Sequence, residues 1–375
     1  MAEPSILFLW SFPNLPGPAH MAPNTTLRAD SSNISIAMHV DIPDALDNQP
    51  ELLRREISKA LGCVVSGWEN VSPADVTIQH LSGAMTNVIF ACEKKTQHNR
   101  KVLLRIYGTG TDAFFERSEE MHVFQQLSQF DLGVGLLGEF DNGRVETMID
   151  GATCTAADIR DPLISTKIAR KLRAFHDVNV DIDCRPRILK NIHKLFRDAK
   201  SKVAASATIA VDFDAFAHDI ATLETMLAAV PSPIVFCHND LQYGNIMLSS
   251  KTDDVVFIDF EYSHYNPRGY DLGNHFSEWC YNYHGETPHL GDFATYPSVD
   301  EQRAFCRAYL EADGAPTEAD VESLRNEANT YALATHLFWS LWGFIQATQS
   351  TIDFDFEAYA KCRWAAFHSQ RQATV

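Results

Sequence analysis

Three side chains in one short stretch have the types and order needed to move a phosphoryl group onto an alcohol: Asp240, Asn245 and Asp259, written Asp-x4-Asn…Asp. One carboxylate can take the proton of an attacking hydroxyl. An amide oxygen and a second carboxylate are the hard ligands Mg²⁺ prefers. Each fragment alone is weak, because an acid after an apolar run is commonly a turn or a helix cap. Their context strengthens them. Two apolar runs, Ile234–Cys237 and Val255–Ile258, read as buried strands, and each ends abruptly in acids and amides. The spacing therefore sets the three groups at the mouths of two neighbouring strands. His238 is expected to brace the loop between them. Gln242 is a candidate for touching nucleotide.

The surrounding text extends this pattern. CHNDLQYGNIM, followed by IDFEYSHYNPRGYDLGNHFSEW, resembles the choline/ethanolamine kinases, a branch of the protein-kinase-like fold, over roughly residues 81–368. The resemblance implies an α+β, two-lobed fold, with a small β-rich N-terminal lobe and a large, mostly helical C-terminal lobe. It implies transfer of the ATP γ-phosphoryl group, with Mg²⁺, to choline, with ethanolamine as the alternative. Asp240 would be the proton acceptor, and Asn245 and Asp259 the metal ligands. Asp271 would anchor the catalytic loop through backbone hydrogen bonds, since a buried carboxylate must find donors.

The elements that must position these groups are legible along the chain. Residues 1–47 are rich in Pro, Asn, Ser and Ala and are expected to be disordered, 48–149 to form the nucleotide lobe, and 150–375 the catalytic and substrate lobe. Residues 51–61 have helical spacing, ended by Gly62. A small-residue turn, Ser82-Gly83-Ala84-Met85-Thr86-Asn87, lies between two strands and lets backbone N–H groups approach phosphate. It resembles the family's nucleotide loop, with Ala84 where many relatives carry a second Gly. In the next strand, Lys101–Gly108, Arg105 stands where the resemblance puts a phosphate-binding cation; the plain alternative is an exposed strand residue. On the amphipathic stretch 117–130, Glu120 would pair with Arg105, with Glu119 beside it as the alternative. Backbone around Thr147 and Ile149 would receive adenine. The helix at 164–178 carries His176, read as structural.

What selects the substrate lies further on. Glu278-Trp279-Cys280-Tyr281-Asn282-Tyr283 combines an acid with aromatics, and the helix 335–344 presents Trp339 and Trp342 on one side. Aromatics at helical spacing are more often core. Two features shift the balance here: Trp needs a partner for its N–H when buried, and the resemblance implies an aromatic box. A quaternary ammonium has no N–H to donate, so ring faces and a nearby carboxylate are its good hosts. Trp339, Trp342, Glu278, Tyr283, Tyr262 and Tyr359 are the candidates, and their aromatic wealth favours choline.

Global properties bound the reading. The 375 residues carry a net charge of −18, which argues against a nucleic-acid partner. Eight scattered cysteines without a Cys-x-x-Cys pair fit reduced thiols and a cytoplasmic protein. No apolar stretch reaches the ~20 residues of a membrane span. Relatives are often dimers, so a homodimer is compatible. An aminoglycoside-type phosphotransferase shares the Asp/Asn/Asp logic, but its polycationic substrates call for acidic rather than aromatic pockets. A kinase-like scaffold without catalysis would have little use for three intact site residues.

Overall fold

The computed structural model describes residues 49–81, 87–95, 101–107, 117–130, 133–206, 209–350 and 352–374. The expectation for residues 1–47 lies outside them. The described chain falls into two compact units. One holds its residues up to Ala152 together with Ser249–Val256. The other holds Thr153–Leu248 and the chain from Phe257 onward.

The first unit opens with α1 (Pro50–Val64), which starts on a proline and buries Leu53, Ile57, Ala60 and Leu61 at helical spacing. It continues past Gly62, the expected stop. An antiparallel sheet follows, built of β1 (Val76–Leu81), β2 (Asn87–Lys94), β3 (Lys101–Tyr107), β4 (Leu136–Phe140) and β5 (Gly143–Thr147), in the order β1-β2-β3-β5-β4. Helix α2 (Arg117–Leu127) lies between β3 and β4 in sequence. Strand alternation sorts the sheet's side chains. Val102, Leu104 and Ile106 of β3 join Phe90, Cys92, Val145, Trp68 and α1 in one core. Leu103 faces the other way, into a small cluster with Leu81, Ile89 and Ala91, beside Met148. Arg105 shares the Leu103 face.

The chain then forms β6 (Gly151–Thr153), α3 (Pro162–His176), α4 (Ile188–Ala204), α5 (Phe213–Ala229), β7 (Ile234–Cys237), β8 (Ile246–Ser249), β9 (Val255–Phe257), β10 (His264–Pro267), α6 (Arg268–Glu278), α7 (Val299–Leu310), α8 (Glu318–Gln349) and α9 (Phe356–Thr374). Asp161 caps α3 by accepting from the N–H groups of Leu163 and Ile164. Helix α8 begins at a capping box of Thr317 and Asp320 and is buried on nearly every side from Thr330 to Ile345. Helices α6 and α9 both pack along it. The contact with α6 needs Gly273: a Cβ there would stand 2.5 Å from Ala332 N and 2.6 Å from Ala328 O. Strand β7 pairs with β10, whereas β9 belongs to the sheet β6-β8-β9. The two strands expected to be neighbours therefore lie in different sheets. No helix among the described residues is long and apolar enough to cross a membrane.

Candidate active site

Asp240 and Asn245 follow β7, and Asp259 follows β9. Because these strands are not paired, side chains and loop backbone bring the groups together. Asn245 Nδ2 donates to Asp240 Oδ2 at 3.0 Å and to the Asp240 carbonyl at 2.9 Å. Ile258 N donates to Asn245 O at 3.0 Å, tying the approach to Asp259 onto the same loop. Asn245 Oδ1 is buried and has no hydrogen-bond partner. An orphaned buried acceptor costs about 1–3 kcal/mol unless a donor or cation fills it. Asn239 and Asp259 both hold left-handed backbone, φ 67° and 66°. Such strain, on the order of 1–3 kcal/mol each, persists where surrounding structure enforces it, as at functional loops.

Asp271, at the start of α6, does that enforcing. It is fully buried. Its Oδ2 accepts from His238 N and its Oδ1 from Asn239 N, both at 2.6 Å, and His176 Nε2 stands 3.0 Å from Oδ2. Burial alone would raise this carboxyl. Hydrogen bonding to His176, the fields of His176 and His238, and the Asn239 N–H outweigh it and hold the group below its ordinary range. His176, Cys237 and Asp271 bring ligand atoms within 4.8 Å of one another. The Asp271 oxygens are already spent on the loop, and burial pushes the Cys237 thiol up, so the cluster reads as the loop's anchor. His238 Nε2 donates to Ile258 O at 3.0 Å, the bracing role its position suggested.

Burial also acts on Asp240, and there no donor array offsets it. Burial first, then the carboxylates of Glu278 and Asp259, push its carboxyl well above the usual range. The side chain of Gln242 accepts from Gly244 N at 2.8 Å. Its carbonyl oxygen thus caps its own loop.

The aromatic candidates form a row. Tyr262 stands 5.3 Å from Trp339 between ring centroids, Trp339 5.5 Å from Trp342, Trp342 6.3 Å from Tyr359, and Tyr359 5.6 Å from Tyr281, which stacks on Tyr283 at 5.6 Å. Trp339 Nε1 donates to Asn274 Oδ1 at 3.0 Å, which fixes its ring. Trp342 is half-buried, with its indole beside the Tyr262 hydroxyl. Glu278 differs from the expectation of an acid held ready for a cation. Its Oε1 accepts from Arg363 Nη2, and its Oε2 accepts from Tyr283 OH at 2.8 Å. Arg363, which sequence reasoning missed, is wholly buried.

In the other unit, the expected pairing of Glu120 with Arg105 is replaced. Arg105 Nε donates to Glu146 Oε1 at 3.0 Å, whereas Glu120 accepts from Arg144 Nη1 at 2.7 Å. Arg144 Nε also donates to Glu146 Oε1, at 2.6 Å. Register explains this: Arg105 lies opposite Arg144, and Glu146 is two residues further on the same face. Burial would raise the Glu146 carboxyl, but the fields of Arg105 and Arg144 and their hydrogen bonds hold it low. Arg144 and Glu146 were thus the missed members. Thr147 N donates to Gly135 O at 2.8 Å, so that N–H is already taken; Ile149 follows outside any regular element. Asn87 opens β2 opposite Tyr107. Ser82, Gly83, Ala84, Met85 and Thr86 lie outside the described residues.

Comparison with known proteins gives the family. Residues 78–368 match the model of the family described as choline/ethanolamine kinase. The chain is 37% identical over 327 residues to a probable choline kinase 2 of Arabidopsis thaliana, covering 86% of this chain and 93% of that one. It is 34% identical over 319 residues to a probable ethanolamine kinase of the same plant, covering 82% and 83%. The fold superposes on the crystal structure of a choline kinase from Cryptosporidium parvum with a TM-score of 0.77 at 23% identity, covering 85% and 95%.

Proposed function

The chain belongs to the choline/ethanolamine kinase family, small-molecule kinases that pass phosphate to an alcohol, and from that premise we propose choline as the acceptor and ATP with Mg²⁺ as the donor. The observation that carries the reading is the juxtaposition at one site: a carboxylate, Asp240, hydrogen-bonded to Asn245 and within the fields of Asp259 and Glu278, with Tyr262 and the Trp339–Trp342 pair beside it.

The choline hydroxyl would lie against Asp240. As its oxygen bonds to the γ-phosphorus, the bond from that phosphorus to the β,γ-bridging oxygen breaks. ADP leaves, and the hydroxyl proton passes to Asp240 and then to solvent. In a loose transition state the proton departs late, so Asp240 orients the hydroxyl first and accepts the proton afterwards. Asn245 Oδ1, buried and unpartnered, and the Asp259 carboxylate are the oxygens that would hold Mg²⁺. When bound, the ion neutralises charge developing on the phosphate oxygens. Arg105, held by Glu146, is the proposed contact for the ATP phosphates. A cytoplasmic homodimer is part of the same proposal.

ADP release measured with choline, ethanolamine and an aminoglycoside tests this. Choline is expected to give the highest kcat/KM, and Asp240→Asn to lower kcat by about 10²–10⁴-fold. Undiminished turnover in that variant would remove Asp240 from its role, and a preference for ethanolamine would reassign the substrate.

A further inference from the structure

Arg363 of α9 is wholly buried. Its Nη2 donates to Glu278, and its Nε donates to Tyr359 OH at 3.1 Å. Its guanidinium carbon lies 4.2 Å from the centroid of Tyr281 and 5.3 Å from that of Tyr359. Both are cation–π distances. One end of the aromatic row therefore already houses a cation, and the carboxylate beside it is already paired. Among the described residues, no guanidinium stands over Trp339 or Trp342. We propose that Arg363 is a positioning residue for the acceptor: a resident cation that holds Glu278, Tyr281 and Tyr359 as one wall and leaves the Trp339 and Trp342 faces for the substrate's ammonium.

This inference rests on the site being a choline pocket. Removing Arg363 frees Glu278 to compete for the ammonium and lets the Tyr359 ring move toward the vacated volume. The substrate's headgroup then loses its register with Asp240. Lys cannot replace the planar fork, although it keeps the charge.

Steady-state kinetics of Arg363→Met and Arg363→Lys, with thermal melts to establish folding, form the test. Arg363→Met is expected to raise the choline KM about tenfold and Arg363→Lys about threefold, with the ATP KM within about twofold in both, because the lost contacts lie on the acceptor side. Removing Arg363 alone leaves an unpaired buried carboxylate, so Arg363→Met is also made in a Glu278→Gln background, where the same split is expected. If Arg363→Met does not fold, the Lys and double variants decide. Folded variants with an unchanged choline KM, or with both KM values rising together, overturn the proposal. Trp339→Ala runs in parallel. If it raises the choline KM while the Arg363 variants do not, only this inference falls. If Trp339→Ala leaves the choline KM untouched, the pocket reading falls and takes this inference with it.

Discussion

A guanidinium is useful to a phosphate only if its direction is fixed, and at Arg105 the fixing group is Glu146 from the adjacent strand. Glu146 shares one oxygen between Arg105 and Arg144, and Arg144 in turn holds Glu120. The four charges alternate in sign along a mostly buried line. Glu146→Gln should raise the ATP KM roughly tenfold, or ~1.4 kcal/mol, with little change for choline, while Glu120→Gln should move it less than about threefold. Equal effects in ATP titrations would return Glu120 to the role its helix suggested. The sequence made Arg105 visible because strand alternation and motif both pointed at it. Its partner was not visible, because which acid meets it depends on the register between β3 and β5, and no local pattern reports a register. Arg363 escaped for a similar reason. It lies far along the chain from Glu278, and a lone Arg on a closing helix looks like surface.

Among the elements, α6 carries the most. It bears Asp271, which holds the loop after β7, and Glu278, which faces the aromatic row, and it approaches α8 at Gly273. Gly273→Ala would drive a methyl into the backbone of α8. It should cost about 1–3 kcal/mol, as overpacking typically does, and chemical denaturation would measure it. Kcat should fall beyond what instability explains, since any shift of α6 displaces the donors' anchor; a variant that is destabilised but fully active would refute that coupling. The helices α1, α2 and α3 were legible from spacing to within a few residues, whereas only the stretch 335–344 of α8 was, and α6 and α7 were not read at all. The strand arrangement was not. Two apolar runs ending in acids suggested adjacent strands, yet β7 and β9 belong to different sheets, and Asn245 closes the gap instead.

At the scale of the molecule, buried histidines should make the fold sensitive to mild acid. Burial brings His275 down to about 4 and, with the Arg363 charge, His336 to about 3, from an ordinary 6.5. As pH falls through 6.5 the unfolded chain takes up protons that the folded chain refuses until pH 4 or below. Stability is therefore lost across that window, by about 2 kcal/mol per histidine between pH 7.5 and 5. Asp271 is depressed in the fold, so its contribution is present above ~3.8 and is lost only below it. Denaturation curves at pH 7.5 and 5 should show the loss, and His336→Gln should reduce it; identical curves would mean these rings protonate without unfolding.

The chain leaves the first compact unit at Ala152 and comes back to it for the eight residues from Ser249 to Val256. A clone stopped after the sheet would lack that returning piece, and one begun at Thr153 would carry it as a stray insertion. Producing either half alone thus calls for two edits to the gene, a cut and a graft for the first and a cut and an excision for the second, and a simple truncation should yield poorly folded material from both.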